Sequence, residues 1–135
     1  MDNNVNEVTR LANGLTLKGD LYSATDVRID GLVLGSVCSE GKVVVGEKAC
    51  VKGDVIANFV DVWGNVDGSL YAGDTLSLKS SAGVQGDLWF NRLQIEIGAD
   101  FVGACKKLSV DDYTSQLKSH RIGDPQSDTT EKDEA

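Results

Sequence analysis

The sequence predicts an all-β fold, a single-stranded parallel β-helix (β-solenoid) of about six rungs of 15–18 residues each, with disordered N- and C-terminal tails. Three observations predict it. A glycine-centred motif returns six times, apolar pairs recur midway between its copies, and the sequence resembles itself when slid along by two rungs.

The motif is a hydrophobic residue, any residue, glycine, a small or acidic residue and a second hydrophobic residue. Its copies are Leu17–Leu21, Val33–Val37, Val51–Val55, Val66–Leu70, Val84–Leu88 and Phe101–Cys105. Their glycines (Gly19, Gly35, Gly53, Gly68, Gly86 and Gly103) recur at intervals of about 15–18 residues. A strand-compatible motif at that interval means a chain coiling on itself, each return stacking on the last.

Between the motifs stand Val27/Ile29, Val43/Val45, Val60/Val62, Leu76/Leu78, Leu93/Ile95 and Leu108/Val110. One residue separates the members of each pair, so period-two alternation turns both inward from a strand. After each glycine, the positions two and four along (Leu21/Ser23, Val37/Ser39, Val55/Ala57, Leu70/Ala72, Leu88/Phe90) are inward again. Each rung is therefore expected to hold three short strands joined by Gly-, Asp-, Asn- and Ser-rich turns. The two-rung shift carries Val27 onto Val60, Gly31 onto Gly64, Gly35 onto Gly68, Ser36 onto Ser69 and Asp54 onto Asp87. Shorter and longer rungs should alternate.

Composition agrees: 15 Gly and one Pro in 135 residues suit many tight turns, and 6% aromatic content suits a narrow core of Val, Leu and Ile. The rod is expected to run from about Leu15 to Val110. The corresponding division is 1–13 as a flexible N-terminal tail, 14–111 as the β-helix and 112–135 as a disordered acidic tail. Residues 1–14 are polar, with Val5, Val8, Leu11 and Ala12 at loose helical spacing. Residues 112–135 carry six acids against three Lys or Arg, with few large apolar groups.

Several function classes find no support. His120, the single histidine, lies beyond the last rung, so the histidine base of a left-handed β-helix acyltransferase has no counterpart in the rod. Asp20, Asp54 and Asp87 beside the turn glycines are expected to bond backbone N–H groups. Gly83-Val84-Gln85-Gly86 lacks the lysine of a phosphate-binding loop. The sequence shows no metal-ligand cluster, and no catalytic, cofactor or metal residues are assigned. A net charge of −8 argues against nucleic acid. A membrane-length apolar run and a signal peptide are absent, and three cysteines without paired spacing fit a reducing cytoplasm. Cys38 and Cys50 are expected outward and Cys105 inward, each as a small hydrophobe.

Two kinds of surface stand out. The outward position three residues after each motif glycine reads Tyr22, Cys38, Ile56, Tyr71, Trp89 and Lys106, an expected apolar ladder along one exposed face. Tyr22, Ile56, Tyr71 and Trp89 are its candidate lateral or partner residues. The rod ends are the second kind. A solenoid ends in core side chains ringed by unpaired backbone groups, and neither flank looks able to cap them. Uncapped rungs should stack on those of another molecule.

The six motifs, together with Val27-Arg28-Ile29-Asp30-Gly31-Leu32-Val33-Leu34-Gly35 and the closing Ile97-Gly98-Ala99-Asp100-Phe101-Val102-Gly103-Ala104-Cys105, resemble the bactofilins over roughly residues 14–110. That bacterial cytoskeletal family combines a central β-helix with disordered flanks. The resemblance implies a right-handed helix with a triangular core, and nucleotide-free, non-polar filaments built end to end with like ends meeting. It places Phe101 at the C-terminal polymer contact. Val84 and Leu108 are candidates beside it, with Leu15 and Leu17 at the other end. It further implies a non-enzymatic scaffold for cell shape or cell-wall enzymes, cytoplasmic and peripheral to the inner membrane where an N-terminal apolar stretch is present. Met1-Asp2-Asn3-Asn4 lacks an aromatic and carries an acid, which makes membrane association a secondary expectation. The expected partner is the protein itself, then cell-wall enzymes or other cytoskeletal proteins. Two alternatives from other classes are an acyltransferase trimer and a monomeric binding solenoid using the Tyr22–Trp89 face.

Overall fold

Period-two alternation and repeated glycine corners fold the chain into six stacked rungs. The computed structural model describes residues 8–120. Rung one holds β1 (Val8–Leu11), β2 (Thr16–Lys18) and β3 (Leu21–Ser23); rung two holds β4 (Asp26–Ile29), β5 (Leu32–Leu34) and β6 (Val37–Ser39). Rung three holds β7 (Lys42–Val45), β8 (Cys50–Lys52) and the first half of β9 (Val55–Val62). Rung four takes the second half of β9, then β10 (Asn65–Asp67) and the first half of β11 (Leu70–Leu78). The rest of β11 opens rung five, with β12 (Gly83–Gln85) and β13 (Leu88–Phe90). Rung six is β14 (Arg92–Ile95), β15 (Asp100–Val102) and β16 (Cys105–Lys107), after which α1 (Val110–His120) follows.

All strand pairings are parallel and connect equivalent positions of neighbouring rungs. The second face is a 6-stranded sheet, β15-β12-β10-β8-β5-β2, with Leu17, Val33, Val51, Val66, Val84 and Phe101 in one inward column. The first and third faces form one 10-stranded sheet, because β9 and β11 run unbroken around their shared corner. Three faces enclose a dry core. Val27, Ile29, Val43, Val45, Val60, Val62, Leu76 and Leu78 on the first face and Val37, Val55, Leu70 and Leu88 on the third are all buried.

The motif glycines sit at the corner between second and third faces, where φ lies between 126° and 156°, a region side chains other than glycine's rarely enter. A second reason for glycine is the approach of the rung beneath. A Cβ on Gly35, Gly53, Gly68 or Gly86 would lie 2.2 Å from the carbonyl oxygen of the preceding motif glycine. The carboxylates beside them tie rungs together: Asp20 Oδ1 accepts from Ser36 N at 2.9 Å, Asp54 Oδ1 from Ser69 N at 3.0 Å and Asp87 Oδ1 from Ala104 N at 3.2 Å. The expected backbone bonding of these turn aspartates is thus present, directed to the next rung.

The alternation of rung lengths has a physical origin at the first corner. It is four residues long in rungs one, three and five (12–15, 46–49, 79–82) and two in rungs two and four (30–31, 63–64). A Cβ on Gly31 would lie 2.4 Å from the Leu15 carbonyl oxygen, and one on Gly64 would lie 2.2 Å from that of Gly46. Each short corner therefore nests against the long corner below. Rung six (96–99) is long again and breaks the alternation at the end of the rod.

Three boundaries differ from expectation. The rod starts at β1 rather than near Leu15, because Thr9 and Leu11 pair with Val27 and Ile29. Val8–Leu11 therefore lies in a strand, although the sequence puts residues 1–13 in a flexible tail. At the other end, Leu108 is buried but Val110 is 78% exposed and opens a helix, so that pair does not begin a seventh rung. Val110–His120 is helical where a disordered tail is expected from residue 112. Residues 1–7 and 121–135 of the expected tails lie outside the described residues.

Candidate polymerisation surfaces

The rod ends can be recognised from a gradient in burial. Inward residues of rungs two to five are essentially inaccessible apart from Phe90, which is partly buried, whereas the same columns in the outer rungs are open. At the C-terminal end Leu93, Ala99 and Phe101 are only partly buried against the core, Ile95 is 44% exposed, and inward-facing Cys105 is exposed. At the N-terminal end Leu11, Leu17 and Leu21 are partly buried and Leu15 is exposed. β1, β2 and β3 have strand partners on one side only, as do β14, β15 and β16. Each end thus presents apolar side chains within a ring of unpaired N–H and C=O groups, a template for further strands. Among the described residues no element lies across either end, since α1 packs on β6, β9 and β11 along the side.

The structure sorts the expected end residues. Phe101 tops the second-face column on the last rung, and Leu15 and Leu17 lie in the first. Val84 is corrected: it stands one rung inside, directly beneath Phe101, and is 2% exposed, so no neighbour can reach it. Leu108 is also corrected. Its N–H bonds the Phe90 carbonyl oxygen at 2.8 Å, and its side chain is buried rather than presented at the end.

Ile97 is 99% and Val102 69% exposed on the last rung, but both point sideways rather than across the end. Ile97 takes the second position of a long corner, where Asn13, Glu47 and Ser80 face solvent, and Val102 takes the outward position of Leu34, Lys52 and Gln85.

The ladder on the third face is in register, with Tyr22, Cys38, Ile56, Tyr71, Trp89 and Lys106 paired rung by rung. Its expected exposure fails in the middle. Ile56 and Cys38 point away from the rod core yet are 0% and 1% exposed. Helix α1 packs over this stretch, with Tyr113, Gln116 and Leu117 half-buried on its inner side. Burial, then the charges of Cys38 and Glu40, push the Tyr113 phenol up to about 12. Beyond the helix, Tyr71 and Trp89 stack with ring centroids 5.9 Å apart, and Lys106 Nζ lies 4.8 Å from the Trp89 ring centre. Burial also raises the Tyr71 pKa, with further raising by Asp54 and Asp87 partly offset by a hydrogen bond to Ser69. At the near end, the Tyr22 hydroxyl donates to Glu40 Oε2.

Chemistry of other kinds finds little purchase. Among the described residues no group of three or more His, Cys, Asp or Glu could hold a metal ion. No helix among them is long and apolar enough to cross a membrane. His120 is the last residue of α1, outside the rungs.

Rungs in register, with both ends uncovered among the described residues, define a β-solenoid with a strand edge open at each end. The family model described as "Bactofilin: Polymer-forming cytoskeletal" matches residues 9–106, nearly the whole rod, and the chain belongs to the bactofilin family. It is similar to Bactofilin BacO of Myxococcus xanthus (strain DK1622), with 28% identity over 95 residues covering 70% of this chain and 75% of that protein. Among solved structures it is similar to a mutant bactofilin from Thermus thermophilus carrying arginine for a phenylalanine. That match has TM-score 0.63 and 36% identity, covering 67% of this chain and 100% of the other. The protein is a polymer-forming cytoskeletal protein, and neither the acyltransferase trimer nor the monomeric binding solenoid is favoured.

Proposed function

We propose that the rods stack end to end, like end on like end, into non-polar filaments that need no nucleotide. In this reading the filament is a non-enzymatic scaffold in the bacterial cytoplasm, organising cell shape or recruiting cell-envelope enzymes. One observation carries it above the others: among the described residues both terminal cross-sections are apolar and uncovered, while the interior columns are sealed. At the C-terminal junction the contact residues are Phe101, Ile95 and Cys105; at the N-terminal junction they are Leu15 and Leu17. Burying these groups drives stacking at roughly 25 cal/mol per Å² of apolar surface. Ladder hydrogen bonds between terminal strands would fix the register.

Negative-stain microscopy of purified protein without nucleotide tests the proposal, with Phe101→Arg beside the parent. An unpaired charge pressed into that junction costs several kcal/mol. The parent should form long filaments, and the variant should stay folded by circular dichroism while sedimenting as small oligomers. Long filaments from the variant would remove Phe101 from the polymer contact.

A further inference from the structure

The middle of the third-face ladder is apolar, outward-pointing and covered by the chain's own helix. We propose that α1 is a displaceable cover that keeps this stripe from pairing with the same stripe of a second copy, so that docked α1 holds filaments single. The inference rests on the filament reading above for its second half only.

Three features support a cover rather than a fixed part of the core. The rod core is closed without α1: Val37, Val55 and Leu70 point inward and are sealed by neighbouring rungs, whereas Cys38 and Ile56 point the other way. The helix has 11 residues, too few for stability on its own, so its order depends on docking. Its fit is specific at one point. A Cβ added to Gly73 would lie 2.8 Å from Asn58 Oδ1 of the rung before and 2.9 Å from the Tyr113 ring, so a glycine at the β11 corner leaves space that the ring shares. Elements held by so few side chains open at low free energy.

The occupant of an uncovered stripe follows from the repeat. Tyr22, Cys38, Ile56, Tyr71 and Trp89 lie in one column along the rod, and end-to-end stacking would repeat that column along every filament. Two filaments offering such columns gain many weak contacts at once, which makes a second copy the favoured partner.

The test uses the full chain, with Gly73→Val to bar the ring, Tyr113→Ala to remove it, and deletion of residues 110–135. Alkylation of Cys38, resolved by mass spectrometry of peptides and referred to Cys50 on the second face, is followed at low protein concentration. Cys38 in the parent should react slowly, and all three changes should speed it about tenfold or more. Filaments of the same variants should associate side by side where the parent's stay single. Unchanged protection of Cys38 in Tyr113→Ala and in the deletion would overturn the cover. Fast labelling with filaments still single would overturn its guarding role. Absence of filaments from the parent would instead count against end-to-end assembly, and the labelling comparison would still decide whether α1 covers the stripe. Should Gly73→Val fail to fold, Tyr113→Ala lies outside the rod and decides the matter.

Discussion

Gly53→Ala and Gly19→Ala together separate backbone strain from rung-to-rung contact. Both glycines occupy the same corner with positive φ, 156° and 126°. At Gly19 nothing lies within 4 Å of an added Cβ, because no rung precedes it. At Gly53 the Cβ would meet the Gly35 carbonyl oxygen at 2.2 Å and its carbon at 2.5 Å. Gly19→Ala should therefore cost only the strain of placing a side chain at that φ, about 1–3 kcal/mol. Gly53→Ala adds a displacement of rung three from rung two by about 1 Å, since carbon and oxygen do not approach closer than roughly 3.2 Å. That shift lengthens the bonds Gly35 N to Lys52 O at 3.0 Å and Val37 N to Asp54 O at 2.8 Å, each worth about 0.5–1.5 kcal/mol. A total of about 2–6 kcal/mol follows for Gly53→Ala. Urea denaturation followed by circular dichroism, at one fixed protein concentration, gives the comparison. Equal losses for the two variants would refute the claim that the glycine column is imposed by the rung beneath.

Further expectations come from the corrected residues. Val84→Ala should lower stability by about 1–2.5 kcal/mol and leave filament formation intact, because Val84 is sealed beneath Phe101; loss of filaments in a folded variant would restore it to the interface. Replacing Tyr71 and Trp89 with Ser should cost only about 1–2 kcal/mol, read by thermal melting, since the stacked rings lie outside the core; unfolding would reverse the faces of that strand. Tyr113 should titrate near 12 in an absorbance titration, its step vanishing in Tyr113→Phe. Its pKa is raised on docking, so the docked helix favours the neutral phenol. Docking is therefore fully favoured below pH 10, the ordinary value, and weakens as pH rises from there through 12. A Tyr113 step at 10 would mean that the helix leaves the ring in water.

The fold was legible because its determinants are local and repeated. Gly35, Gly53, Gly68 and Gly86 mark the same corner on successive rungs, and pairs such as Val43/Val45 state which side faces in. The nesting of Gly31 and Gly64 against the long corners of the preceding rungs even left its trace as the two-rung shift. What the sequence hid depends on neighbours distant along the chain. β1 offers only Thr9 and Leu11 to the core, and it is recognisable as a strand only once β4 lies beside it. Helix α1 is weak by itself and gains its order from Cys38, Ile56 and the space at Gly73, all far back along the chain. That dependence is why the ladder looked exposed and the segment after residue 112 looked unstructured. Of the end residues, Phe101 and Leu17 could be placed from the motif column, while Val84 was misplaced by one rung.

End-to-end continuation of the ladder is tested most directly by cryo-electron microscopy of filaments assembled without nucleotide. Six rungs at ~4.8 Å give about 29 Å per molecule, so like-end stacking predicts an axial repeat of about 58 Å with an unbroken ~4.8 Å strand spacing across both junctions. Phe101 should face the second copy at one junction and Leu17 at the other. A repeat half as long would mean head-to-tail stacking, and a strand ladder interrupted between molecules would contradict the end-to-end assembly itself.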